Sequence, residues 1–236
     1  MNETLPQAVA AAVRRDPTTP LLTWYDDATG DRAELSGATL DNWVSKTANL
    51  LIDGAGLAHG DTVAVLMPPH WQTAAVILGA SAAGLVVDLG GSPGPVDALF
   101  TTPDRNSGWS SPERYVTGLL PLAMPLREVP PGWVDYPTEV RAHGDHFRPV
   151  QPVEPDDEAI AGLTHRAVIR TSAQRAGELG IGYGDRVLID TRNHPDPMDW
   201  LFAPLVAGAS IVLCANPDPA KVTDHSSAEQ VTVVVA

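Results

Sequence analysis

The sequence predicts an α/β fold built from two pseudo-symmetric β-α-β units, with mostly parallel sheets flanked by helices. Gly56-Leu57-Ala58-His59-Gly60-Asp61-Thr62-Val63 recurs as Gly180-Ile181-Gly182-Tyr183-Gly184-Asp185-Arg186-Val187, and the same offset maps His70 onto His194 and Gly84 onto Gly208. Each copy runs from a Gly-Asp turn through a short apolar stretch and a helical stretch to a glycine and a second apolar stretch. A strand, a helix and a strand in that order make a parallel crossover, which is right-handed almost without exception.

The elements follow from local patterning. Leu5, Val9, Ala12 and Val13 recur at helical spacing and stop at Asp16-Pro17. Leu21-Leu22-Thr23-Trp24-Tyr25 is strand-like, Asp26-Asp27-Ala28-Thr29-Gly30-Asp31 is a turn, and residues 33–36 complete a hairpin. Leu40, Trp43, Val44, Thr47, Leu50 and Leu51 form one helical stripe closed by Asp53-Gly54. The first unit then places a strand over 63–67, a helix over about 70–83 that buries Trp71, Ala74, Ala75, Ile77 and Leu78, and a strand over 85–87. From 90 to 155 the chain is rich in proline and glycine, with apolar pieces at 96–100 and 116–124. Residues 164–179 form the helix before the second Gly-Asp turn, followed by strands over 187–190, 211–213 and 231–235. The expected organisation is a single α/β domain over 1–236, with halves at about 1–103 and 156–236 joined by an extended connector at about 104–155.

Composition removes several classes of function. The formal charge is −14, from 29 acidic and 15 basic residues, so the average surface repels nucleic acid and anionic lipid. The 44% apolar content is ordinary for a soluble protein. The N-terminus lacks a basic and hydrophobic leader, and the weakly polar stretch 73–87 is shorter than the roughly 20 apolar residues a membrane span needs. A soluble, cytoplasmic protein with no membrane and no nucleic-acid partner is expected. Cys214 is the one cysteine and sits in the run Ala209-Ser210-Ile211-Val212-Leu213-Cys214, which marks a small buried hydrophobe and not a nucleophile.

The ordered motifs resemble the N-terminal part of adenylate-forming enzymes, the superfamily of acyl-CoA synthetases, peptide-synthetase adenylation domains and luciferases. The residues that carry the likeness are Gly60-Asp61-Thr62-Val63, Met67-Pro68-Pro69-His70-Trp71, Leu78-Gly79-Ala80-Ser81-Ala82-Ala83-Gly84, Leu163-Thr164-His165, Gly184-Asp185-Arg186-Val187-Leu188 and Pro204-Leu205-Val206-Ala207-Gly208-Ala209. The resemblance implies the two-unit fold of that N-terminal domain. It also implies a Ser/Thr/Gly-rich loop ending in lysine just before the Thr-His, where backbone amides and the lysine hold ATP phosphates. Here Asp157-Glu158-Ala159-Ile160-Ala161-Gly162 runs straight into Leu163-Thr164-His165, so that loop is missing. On this likeness the chain is truncated before the adenine- and ribose-binding segments and the C-terminal domain with its catalytic lysine. Without those groups the charge on a transferred phosphoryl goes unstabilised, so adenylation by this chain alone is not expected and no cofactor is assigned.

Three residues remain as candidates. The resemblance places His194 near an acyl pocket, with Asn193 where relatives carry an aromatic, and a small-molecule binder that kept an acyl or nucleotide pocket would have His194 and Trp200 near it; read from its loop alone, His194 is a surface polar residue. Gly90-Gly91-Ser92-Pro93-Gly94 matches the GxSxG of a nucleophile elbow, which would make Ser92 a hydrolase nucleophile with a histidine such as His143 or His194. Pro93 and Pro95 oppose the helix that an elbow must feed. His143-Gly144-Asp145-His146 lacks a second ligand group and reads as solvated loop, so no metal is expected. Asp61 and Asp185 recur by symmetry and read as turn-makers, and Trp24, Trp43, Trp71 and Trp200 as core. The expectation is a binding or protein-interaction module that self-associates or docks to another protein, with a small-molecule (acyl or nucleotide) binding protein as the alternative.

Overall fold

The computed structural model of the protein describes residues 2–105 and 108–236. Helix α1 spans Leu5–Arg15, capped by Thr4, whose hydroxyl accepts from the Gln7 amide at 3.3 Å, and it buries Leu5, Ala8, Val9 and Ala12. Strands β1 (Pro20–Asp26) and β2 (Asp31–Ser36) pair as the expected hairpin. Helix α2 (Gly37–Asn49) runs on into a π-helical turn, Leu50–Gly54, and its stripe Leu40, Val44, Ala48 and Leu51 is buried.

Strand β3 (Thr62–Leu66), helix α3 (Trp71–Ala82) and strand β4 (Val86–Asp88) are the first repeat unit. Helix α3 is buried on nearly every side, its apolar Ala74, Ala75, Val76, Ile77 and Leu78 together with its polar Gln72, Thr73 and Ser81. The stretch expected as a connector is more structured than its prolines suggest. After β5 (Ala98–Thr101), β6 (Glu113–Val116) and β7 (Val134–Asp135) extend the same sheet, and the short helix α4 (Tyr136–Glu139) buries Tyr136 completely. Strands β8 (Glu158–Ile160) and β9 (Leu163–Thr164) form a tight antiparallel pair before helix α5 (His165–Glu178).

The second repeat unit is β10 (Arg186–Asp190), helix α6 (Ala203–Ala207) and β11 (Ser210–Ala215). Its helical part differs from the first: a loop over 191–197 leads to a π-helical turn, Met198–Phe202, which runs into α6. Helix α7 (Val222–Ala228) and strand β12 (Val233–Val235) finish the described chain.

Contacts divide the chain into two compact units that interleave instead of following the chain-order halves. One comprises Met1–Leu40, Pro69–Trp71 and Arg166–Ala236; the other comprises Asp41–Pro68 and Gln72–His165. The first holds a five-stranded sheet in the order β12-β10-β11-β1-β2, parallel except for the β1/β2 hairpin. The second holds a seven-stranded sheet in the order β7-β6-β5-β3-β4-β8-β9, parallel except for β8/β9.

Each unit contains one copy of the Gly-Asp turn, and the copies share their bonding. The Asp61 carboxylate accepts from the Ala58 amide at 2.7 Å and the Asp185 carboxylate from the Gly182 amide at 2.6 Å. The Gly60 amide donates to the Gly84 carbonyl, as the Gly184 amide does to that of Gly208. Gly84 and Gly208 lie in the left-handed region, at φ +74° and +79°. A Cβ at Gly84 would stand 2.3 Å from His59 Nδ1, and one at Gly208 would stand 2.8 Å from the Tyr183 ring. Both positions need glycine for its left-handed backbone, and Gly84 also for its missing side chain against the His59 ring, whereas the exposed Tyr183 ring beside Gly208 can move aside.

Candidate functional site

The carboxyl end of β10 gathers the polar groups that the sequence singled out. The Asp190 carboxylate accepts from the Arg192 amide at 2.9 Å, and the His194 amide donates to the Asp190 carbonyl at 3.0 Å, which folds 190–194 into a turn. In open α/β sheets this end of the parallel strands is where ligands bind. From the turn, the His194 ring reaches Asp199 at the start of the π-helical turn, Nδ1 to Oδ2 at 2.8 Å. Arg175 on α5 grips the same carboxylate with two parallel bonds, Nε to Oδ1 at 2.7 Å and Nη2 to Oδ2 at 3.0 Å. Hydrogen bonds from Arg175, reinforced by His194, outweigh burial and hold the Asp199 carboxyl below the usual range. An ionised Asp199 can only accept, so His194 Nδ1 donates to it.

His194 is thus a fixed side chain, 15% exposed, and not the freely solvated loop residue that its sequence setting suggests. Its repeat counterpart has diverged: His70 is 1% exposed and meets Trp24 edge-on at 4.5 Å, and burial lowers its pKa to about 3, so it stays neutral. Trp200 has no exposed surface, and its indole N–H donates to the Pro195 carbonyl at 3.1 Å. It supports the His194 loop from within and offers no face to a ligand. Ser92 is exposed in a loop that leads from β4 into β5 and not into a helix, so it lacks the strand-turn-helix geometry of an elbow. His143 faces Glu139 at 4.0 Å, and among the described residues no three His, Cys, Asp or Glu side chains converge as a metal site. Cys214 is buried, and burial pushes its thiol up to about 12.

A second polar constellation lies in the same unit and was not legible beforehand. Glu229, 7% exposed, accepts from the Tyr25 hydroxyl at 2.6 Å, from Arg32 Nη2 at 2.7 Å and from Arg186 Nη2. Arg186 also donates to the Thr23 hydroxyl at 2.8 Å and to the Glu229 carbonyl at 2.8 Å. The usable signal was a break in the repeat: the offset that matches Asp61 with Asp185 sets Arg186 against Thr62, a charge at the start of a core strand.

Comparison with known proteins agrees with this architecture. A family model described as "AMP-binding enzyme" matches residues 9–88. A Mycobacterium tuberculosis fatty acyl CoA synthetase superposes with a TM-score of 0.70 at 14% identity, covering 98% of this chain and 49% of that one. An anthranilate CoA ligase solved in complex with anthranoyl-AMP superposes with a TM-score of 0.71 at 13% identity, covering 99% and 51%. The chain therefore spans about half the length of these solved structures. The fold is that of the N-terminal domain of adenylate-forming enzymes. Within that class the chain belongs to the TIGR03089 family: it is 40% identical over 248 residues to the "TIGR03089 family protein" of Mycobacterium tuberculosis (strain ATCC 25618 / H37Rv), covering 98% of this chain and 100% of that one.

Proposed function

We propose that this chain is a non-catalytic binding or protein-interaction module on an adenylate-forming scaffold. The observation that supports the reading is the β8/β9 pair. Ile160 and Leu163 are partners in register, so only Ala161 and Gly162 connect the strands, and Thr164-His165 leads directly into α5. A two-residue turn offers no run of amides to wrap a triphosphate. The two lysines of the sequence are engaged elsewhere: Lys46 donates to the His143 carbonyl at 2.6 Å and Lys221 to the Asp27 carbonyl at 3.1 Å. A module of this kind acts through what it holds, by self-association or by docking to another protein.

A small-molecule reading has its own support in His194, whose ring the Asp199-Arg175 brace holds in one orientation at the carboxyl end of β10. Calorimetric titration with Mg-ATP, AMP and a non-hydrolysable acyl-adenylate mimic separates the two. Silence from all three is expected for the interaction module, and light scattering or pull-down then identifies a second copy or a partner protein. Saturable binding of the adenylate mimic that is lost in His194→Ala favours the small-molecule reading. Stoichiometric Mg-ATP binding contradicts the loss of the phosphate cradle.

A further inference from the structure

We infer that the unit containing the five-stranded sheet carries a binding site for a small monocarboxylate, at the edge opposite the His194 turn. A cavity of about 350 Å³ opens where three parallel strands begin, with Pro20 of β1, Arg186 of β10 and Ser210 of β11 in its wall. That volume is in the range of small-molecule sites. The carboxyl edge, where α/β sheets ordinarily bind ligands, lies at the other end of the same strands.

The chemistry of the lining selects the ligand. Three carboxylates face the cavity, and each is already supplied with donors. Glu229 is held by Tyr25, Arg32 and Arg186, Asp16 accepts from the Thr18 amide at 3.1 Å and the Thr18 hydroxyl at 2.9 Å, and Glu34 pairs with Arg32. The guanidinium groups at the rim are only partly used. Arg15 spends Nη1 on the Gly208 carbonyl and stacks on the Tyr183 ring at 5.1 Å, and its Nε and Nη2 make no hydrogen bond among the described residues. Arg32 spends Nε and Nη2, and its Nη1 makes no hydrogen bond among the described residues. Gln230, whose side chain makes no hydrogen bond among the described residues, also lines the cavity; its left-handed backbone, at φ +54°, is the C-terminal cap of α7, where the Val231 amide donates to the Ser226 carbonyl at 2.9 Å.

Unused guanidinium edges are the groups that recognise a carboxylate. The lining as a whole carries three arginines and three carboxylates, so its formal charge is zero and it does not favour a highly charged anion. A small hydroxy or amino acid fits both facts. Its carboxylate takes Arg15 and Arg32, and its donor faces the second oxygens of Glu34 or Asp16.

The test titrates the full chain with glycolate, glycine and inorganic phosphate, read by calorimetry and by the side-chain N–H resonances of the arginines. Saturable binding of glycolate or glycine that shifts Arg15 and Arg32, and weakens about tenfold in Arg15→Gln, is the expected result. Gln230→Ala removes a side chain with no other partner, so it reports on the site even where Arg15→Gln lowers stability; binding several-fold weaker is expected. The assignment is overturned by no saturation with either carboxylate, by phosphate binding more tightly than both, or by both variants binding like the native chain.

Discussion

At the scale of single residues, Glu229 shows how a charge can be buried and still stabilise. Burial alone raises a carboxyl pKa, but the hydrogen bonds from Tyr25, Arg32 and Arg186 outweigh it and bring this one down to about 2, from 4.5. A carboxyl with a depressed pKa in the folded state stabilises at pH values above its unfolded pKa, and that contribution disappears as pH falls toward the folded one. A difference of this size is worth about 3 kcal/mol. Urea unfolding of the native chain is therefore expected to lose about that much between pH 5 and pH 2, beyond the general effect of acid. Glu229→Gln is expected to cost about 3 kcal/mol near neutrality, because Arg186, 14% exposed, loses its charge partner. The gap between the two proteins should narrow as the pH falls; a gap that is constant with pH contradicts the role assigned to the ionised carboxylate. His194 and Asp199 repeat the logic on a smaller scale, since a carboxylate fixed by one arginine then fixes the histidine.

At the scale of elements, the two Gly-Asp turns are alike in design and unequal in consequence. Asp61 closes its own turn by accepting from the Ala58 amide. Asp185 does the same for Gly182, and its other oxygen accepts from the Thr232 hydroxyl at 2.7 Å, which ties the turn to the segment entering β12. One hydrogen bond of this kind is worth about 1 kcal/mol. Asp61→Ala is therefore expected to cost about 1 kcal/mol and Asp185→Ala about 2 kcal/mol in chemical denaturation, with faster amide exchange over 231–235 in the second variant only; equal costs and unchanged exchange would remove the link through Thr232. These turns were legible in the sequence because their chemistry is local: glycine for the left-handed backbone, aspartate for the free amide. The strand, helix and strand after the first turn were legible for the same reason. The π-helical turn Met198–Phe202 was not, because Asp196, Pro197 and Asp199 interrupt the apolar period there while Trp200, Leu201 and Phe202 are all buried. Strands β6 and β7 were missed in turn because four and two residues between prolines and glycines carry too little alternation to register.

At the scale of the molecule, the chain order and the units disagree, and this bears on how the protein can be dissected. Residues 1–103 contain β1 and β2 but none of β10, β11 and β12, and they contain β3, β4 and β5 but none of β6 to β9. Strand β1 would lose its parallel partner β11, which matches it from Leu22 opposite Ile211 to Asp26 opposite Ala215. Strand β5 would lose β6 and β4 would lose β8. Each loss opens a sheet edge and exposes side chains such as Leu22, Val63 and Phe100 that are fully buried in the native chain. Periodicity could suggest two consecutive halves because it reads neighbours along the sequence, whereas parallel sheets recruit strands from far apart. Expressed separately, residues 1–103 and 156–236 are expected to lack cooperative thermal unfolding and dispersed amide resonances, while the 236-residue chain shows both. A cooperatively folded 1–103 fragment would mean that the first repeat unit forms a stable sheet without strands supplied by the second half. Any protein that bound this chain would meet two sheets whose strands come from both ends of its sequence, and would have to use a surface or a strand edge that those strands leave open.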